Sequence, residues 1–210
     1  MTRFFLVRHG ETEWNRIHRI QGSSDIPLND TGRTQARKAG AVLSRHSFDL
    51  IVASPLSRAM ETATIIARRL RMPLPLPVEA IVERHYGEAE GATREDLDAR
   101  FPGDTPVPGR EEREAVQKRV LRALSDMSIR HPDADIIVVT HGGVIRSVVE
   151  YAAPGRYNEP IRNCSIHSFR HSPQGIELVE FDDPMETIAR TLGTEDFSEQ
   201  NPDEARSPVS

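Results

Sequence analysis

Ile136-Ile137-Val138-Val139-Thr140-His141-Gly142-Gly143 reads as a buried strand that ends in a turn and runs straight into a helix. All five residues from Ile136 to Thr140 are β-branched and four are apolar, a composition that suits a sheet and disfavours a helix. Gly142 and Gly143 then open a helix that continues through about Glu150. A histidine therefore stands at a strand-to-helix turn.

The same grammar recurs outward from this stretch. Upstream lie a long helix from about Glu111 to Ile129 and, at the start of the chain, an apolar strand from Phe4 to Val7 followed by Arg8-His9-Gly10-Glu11-Thr12-Glu13-Trp14-Asn15. A helix from about Thr31 to Arg45 precedes a strand over Leu50 to Ala53. Ser54-Pro55 opens another helix that runs through Arg58 and Thr62 to Leu70, since proline is well tolerated in a first turn. Pro73, Pro75 and Pro77 make a stiff connection, and Val78 to Val82 leads toward Glu83. Thr93-Arg94-Glu95-Asp96 has the form of a capping box for a short helix ending before Pro102-Gly103. The Pro/Gly-rich stretch to Gly109 is a surface excursion. Downstream, Ser165 to Arg170 and Gly175 to Phe181 form a closing hairpin. This alternation predicts an α/β fold: a mainly parallel sheet flanked by helices on both faces, with a short antiparallel C-terminal hairpin.

Residues 1–181 suffice for one domain, and 182–210 are an acidic tail with few apolar residues, expected to be disordered. That tail has eight acidic residues against Arg190 and Arg206, so it carries −6 and the preceding 181 residues sum to +1. A nearly neutral body without a basic, aromatic-laced track excludes a nucleic-acid partner and favours a small anion. All basic residues except Lys38 and Lys118 are arginine, which suits bidentate contacts to phosphate or carboxylate. The single cysteine, Cys164, cannot form an internal disulfide, and it reads as a small buried residue at the start of a strand. A reducing, cytoplasmic compartment is the expectation. The N-terminal apolar run, bracketed by Arg3 and Arg8, is too short for a signal peptide or membrane span. His18, His46, His131, His167 and His171 read as surface or locally bonded, and oligomeric state is not legible.

In parallel sheets ligands bind beyond the carboxyl ends of the strands. Three such ends here carry Arg8-His9, Ser54-Pro55-Leu56-Ser57-Arg58 and His141-Gly142. Arg8 and Arg58 supply planar donors for a phosphoryl group, and Gly142 at a helix N-terminus offers an unobstructed backbone N–H. With one protonated histidine they would nearly neutralise a phosphate dianion and its transition state. The other histidine, neutral and held through its second nitrogen, could attack phosphorus in line. Glu83, in Glu83-Arg84-His85-Tyr86-Gly87-Glu88, stands at the next strand-to-loop transition and is the candidate acid for the leaving oxygen.

Taken together, these segments resemble the histidine phosphatase superfamily, the phosphoglycerate-mutase-like proteins. Arg8-His9-Gly10-Glu11-Thr12 is similar to its first motif, Ser54-Pro55-Leu56 with Arg58, Ala59 and Thr62 to its second arginine motif, and Thr140-His141-Gly142-Gly143 to its second histidine. Glu83-Arg84-His85-Tyr86-Gly87 looks like its acid-bearing segment. The resemblance implies a three-layer α/β/α fold and phosphorylation of His9. It also implies that Arg8, Arg58 and His141 hold the phosphoryl group, and that Glu83 acts as acid and then as base toward water. Asn15, Gln21 and Gly22 would line the substrate pocket. No metal and no cofactor are implied.

Within that family the expectation is a phosphomonoesterase for a small phosphorylated metabolite. The alternative is a 2,3-bisphosphoglycerate-dependent phosphoglycerate mutase. Mutases place a lysine and an adjacent arginine pair after the acid motif, whereas Glu88 to Glu114 has no lysine and only the separated Arg94, Arg100, Arg110 and Arg113. Many phosphatases have Gly-x-Trp-Glu-Gly where this chain has Gly87-Glu88-Ala89-Glu90-Gly91, and Pro-Gly-Gly-Glu-Ser where it has Pro108-Gly109-Arg110-Glu111. Two other classes compete. A metal-dependent hydrolase using His9, His141 and Glu83 is disfavoured by the two adjacent arginines. A non-catalytic binding protein is disfavoured because all five candidate residues are present.

Overall fold

Strand β1 (Thr2–Arg8) sends Phe4 and Leu6 to one hydrophobic core and Phe5 and Val7 to another, the two-residue period of a strand buried on both faces. It lies inside a six-stranded sheet that the computed structural model describes within residues 1–182. The acidic tail beyond Asp182 lies outside the described residues.

The other strands are β2 (Leu50–Ala53), β3 (Leu76–Pro77), β4 (Asp135–Thr140), β5 (Ile166–Ser172) and β6 (Gly175–Glu180). Their order across the sheet is β3-β2-β4-β1-β5-β6. β1, β2, β3 and β4 run parallel, while β5 and β6 form the antiparallel C-terminal hairpin. The expected mainly parallel sheet with a closing hairpin is thus the observed one. Among the described residues six α-helices accompany it: α1 (Glu13–Arg16), α2 (Asp30–Leu43), α3 (Ser57–Leu70), α4 (Arg94–Arg100), α5 (Arg113–Arg130) and α6 (Gly142–Ala152). Helices α5 and α6 cover the face holding Phe4, Leu6, Ile136 and Val138. Helices α2 and α3 cover the face holding Phe5, Val7, Ile137 and Val139. A third, smaller cluster of Ile20, Tyr86, Ala89, Leu97, Phe101 and Val107 lies in the excursion and the first loop. No described helix is long and apolar enough to cross a membrane.

Several local expectations are corrected. Pro55 is not in a helical first turn: α3 begins at Ser57, after an extended Leu56 with ψ 135°. The Ser54 N–H still pairs with Val139 O at 3.0 Å, so the chain leaves β2 extended before it can turn. Asp25 then accepts from the Ser57 N–H at 2.8 Å and serves the new helix end. Val78 to Val82 is mainly a 3₁₀ turn, Glu79–Ile81, and β3 is only the short edge before it. Helix α5 starts later than Glu111 because the backbone and carboxylate of Glu111 are engaged with Arg84 and Arg119. Cys164 is half-buried with φ 60°, a left-handed turn residue, and β5 begins only at Ile166. The Thr93 capping box forms as expected, and a second one, Thr12 with Asn15, caps the short α1.

Candidate active site

The floor of the site is assembled where β1, β2 and β4 end. His9 follows β1, and its N–H reaches Thr140 O of the neighbouring β4 at 2.9 Å. Its Nδ1 lies 2.7 Å from Gly10 O. A carbonyl only accepts, so Nδ1 carries the hydrogen and Nε2 keeps its lone pair. Gly10 is held in turn by Thr62 of α3, whose hydroxyl accepts the Gly10 N–H at 3.0 Å. A Cβ on Gly10 would stand 2.4 Å from Gly32 O, so glycine is required where this loop crosses the start of α2.

His141 caps the gap between β4 and α6, with its Nε2 2.8 Å from Ser54 Oγ at the end of β2. Its Nδ1 is buried and has no hydrogen-bond partner among the described residues. The two imidazoles meet edge to face, with centroids 5.2 Å apart. Burial, followed by the charges of Arg58 and Arg8, holds His9 well below the usual histidine value against a smaller raising effect of the Gly10 bond. Burial first and then Arg58, His9 and Arg8 do the same to His141. Both imidazoles are thus favoured in the neutral form, and the negative charge of a phosphate dianion beside them favours protonation of one.

Arg8 and Arg58 are buried beside them. Arg8 Nη1 donates to Ile161 O at 2.6 Å. Arg58 is fully buried and donates to Ser24 O at 2.9 Å and Gly22 O at 2.7 Å. The Gln21 carboxamide satisfies both neighbours when its oxygen faces Arg58 Nε at 2.8 Å and its nitrogen donates to Thr12 Oγ1 at 2.6 Å. Burial pushes Arg58 down to about 10, with Glu83, Asp25 and Glu90 opposing, so the guanidinium stays charged at neutral pH. Gly142 opens α6, and a Cβ there would stand 3.5 Å from Arg8 Nε, an ordinary contact.

Glu83 is 5% exposed and reaches the same place from the other side. Its carboxylate accepts from the Arg84 N–H at 2.8 Å and from the Gly143 N–H at 3.2 Å. It thus lies over the N-terminus of α6, next to His141. Asn15 accepts from the Thr12 N–H at 3.1 Å and from Asn163 Nδ2 at 3.4 Å, and Asn163 also donates to His9 O at 2.9 Å. The structure therefore brings Arg8, His9, Arg58, Glu83, His141 and Gly142 together, with Asn15, Gln21 and Gly22 around the first loop.

Ser54, Thr62 and Glu90 stand in motifs legible in the sequence but had no role of their own there, and neither had Asn163; the structure gives each one. Ser54 had a usable signal, since it closes a parallel strand. Glu90 accepts from the backbone N–H and hydroxyl of both Ser23 and Ser24. Burial raises its pKa, but the hydrogen bonds from Ser24 and Ser23 outweigh it and hold the carboxylate below its usual range. A Cβ on Gly22 would come within 2.5 Å of that carboxylate. His167, read as surface or locally bonded, is fully buried between Ser165 Oγ at 2.9 Å and the Asp182 N–H at 3.1 Å. Ala89, where a tryptophan was the family expectation, is also fully buried, and Trp14 lies against Gly91 instead. Among the described residues no group of three or more His, Cys, Asp or Glu side chains is arranged to hold a metal ion.

Comparison with known proteins agrees with this arrangement. Residues 4–184 match the model of the histidine phosphatase superfamily, branch 1. The chain is 39% identical over 155 residues to the uncharacterized phosphatase PhoE of Bacillus subtilis, covering 74% of this chain and 79% of that protein. The solved structure of Bacillus stearothermophilus YhfR superposes with a TM-score of 0.80 at 27% identity, covering 89% of this chain and 100% of that one. A mutant phosphoserine phosphatase from Entamoeba histolytica, solved with phosphoserine, superposes with a TM-score of 0.75 at 27% identity, covering 88% and 98%. The chain belongs to the histidine phosphatase superfamily, branch 1.

Proposed function

We propose that this protein is a phosphomonoesterase that hydrolyses a small phosphate ester through a phosphohistidine on His9. The observation that carries the reading is the 2.7 Å bond from His9 Nδ1 to Gly10 O in a buried, doubly cationic floor. It leaves a neutral, buried imidazole with an Nε2 lone pair for attack on phosphorus. Nε2 attacks phosphorus as the bond to the leaving oxygen breaks, and Glu83, buried and kept protonated by the negative charge of the substrate beside it, gives that oxygen its proton. Glu83, now a carboxylate, takes a proton from water. The water oxygen attacks phosphorus, the P–N bond breaks, and its electron pair returns to Nε2. Arg8, Arg58, Gly142 and His141 hold the phosphoryl oxygens and offset charge that builds in both transition states.

Hydrolysis is favoured over mutase chemistry by the wall beyond Glu83, which has no lysine and no adjacent arginine pair for a second acidic group between Glu88 and Glu114. Small esters of the phosphoserine kind are the first candidates, since a structural relative binds phosphoserine. We take residues 1–181 as the catalytic domain and 182–210 as an acidic appendage, working without a metal in a reducing compartment. The test is transfer of acid-labile radiolabel from a phosphorylated substrate in the presence of chelator. Wild-type protein is expected to label and His9→Ala is not; a label that survives in His9→Ala sinks the proposal.

A further inference from the structure

We infer that Arg119 is the positioning residue of the catalytic acid, an inference that rests on the reading of Glu83 as the proton donor. Arg119 is in the middle of α5, outside every motif that marks the site, and its guanidinium makes five hydrogen bonds, three to the segment that carries Glu83 and two to the carboxylate of Glu111. Nη1 donates to Ala80 O and to Val82 O, each at 2.8 Å. Nη2 donates to Glu83 O at 3.2 Å and to Glu111 Oε2 at 3.0 Å, while Nε reaches Glu111 Oε1 at 2.8 Å.

Glu111 extends the clamp to the far side of the acid. Its carboxylate accepts the His85 N–H at 3.2 Å, and its carbonyl accepts from Arg84 Nε at 2.8 Å. One guanidinium thus gathers the carbonyls before and at Glu83, and its partner carboxylate gathers the backbone just after. The chain between is a 3₁₀ turn and a loop with no ladder of its own. The backbone of Glu83 and the Arg84 N–H that its carboxylate accepts both belong to residues 80–85, so the alignment of that carboxylate on the Gly143 N–H of α6 depends on where those residues sit. Without Arg119, three carbonyls and a carboxylate lose a shared donor, and the turn has to rearrange to recover hydrogen bonds. A displacement of about 1 Å at a reacting group costs roughly 10²-fold in rate.

The leaving group separates positioning from mere structural support. A p-nitrophenolate departs without a proton, whereas an alkoxide such as that of phosphoserine needs one. kcat/KM, which reports the steps up to formation of the phosphohistidine, is measured for p-nitrophenyl phosphate and for O-phosphoserine with wild type, Glu83→Gln, Arg119→Gln, Arg119→Lys and Glu111→Gln. Arg119→Gln is expected to lose about 10²-fold on phosphoserine and much less on the nitrophenyl ester. Arg119→Lys, which keeps charge but not the fork, falls between. Equal losses on both esters, or none, in variants that melt like wild type overturn the positioning role while a selective Glu83→Gln leaves the acid intact. A Glu83→Gln loss that is not selective overturns the acid reading itself. If Arg119→Gln does not fold, Arg119→Lys and Glu111→Gln decide by the same ratio.

Discussion

The floor of the site hangs from the central sheet, whereas its wall, residues 83–111, packs largely on a small core of its own. His9, Ser54 and His141 end strands that are buried on both faces, between one core under α5 and α6 and another under α2 and α3. The wall relies on Ile20, Tyr86, Ala89, Leu97, Phe101 and Val107. Holding charges still in a low-dielectric place takes many rigid contacts, so the phosphoryl chemistry is built where packing is deepest. Recognising the rest of the ester takes a surface that can differ between proteins without unsettling that floor.

The most severe way to break the comparison is at the floor. Arg58→Ala should lower kcat/KM by about 10³-fold, and by the same factor on every ester, because the lost contact is to the group all esters share. A loss that varies by ester would place Arg58 in recognition. Damage to the wall should look different. Leu97→Ala opens a cavity in the smallest core at a cost of about 3 kcal/mol, and it should shift KM from ester to ester while His9 still takes up label. Denaturant unfolding paired with kinetics would check this, and uniform loss of labelling would merge the two regions.

Two smaller effects concern the first loop of the floor and the sheet that carries it. Gly10→Ala forces a Cβ onto Gly32 O, which lies 2.4 Å away, and should destabilise the fold by about 1–3 kcal/mol while slowing turnover, measured by calorimetry and by single-turnover labelling. Acid should expose the neutral histidines. Burial lowers His167 from 6.5 to about 3, so between those values the unfolded chain binds a proton that the folded one refuses. Stability therefore falls as pH drops from 6.5 towards 3, by up to about 1.4 kcal/mol per pH unit for this one group, and above 6.5 the group contributes nothing. His167→Asn should flatten the slope of unfolding free energy against pH by that amount; an unchanged slope would mean that His167 titrates normally.

What could be read from the chain divides along the same line. The floor was legible because both of its histidines directly follow apolar strands, so the local pattern of Phe4 to Val7 or Ile136 to Thr140 announces the position of the histidine next to it. Its supports were not. Ser54 meets His141 87 residues away and Asn163 meets His9 154 residues away, and no local periodicity encodes such a pairing. Pro55 was misplaced for a related reason. Its propensity suits a first turn, but the backbone of Ser54 is still paired to β4, and that tertiary bond decides. The wall was legible as an excursion and in its capping box, while the burial of Ala89 depended on what Ile20 brings from the first loop.

The Glu90 carboxylate gives this division a practical edge. It is the wall's plug in the floor's socket: four donors of Ser23 and Ser24 close on it, and the same loop lends Arg58 the carbonyls of Gly22 and Ser24. A wall transplanted from another such enzyme to change what is hydrolysed has to carry an acid in that place, or the graft will disturb the arginine it was meant to leave alone.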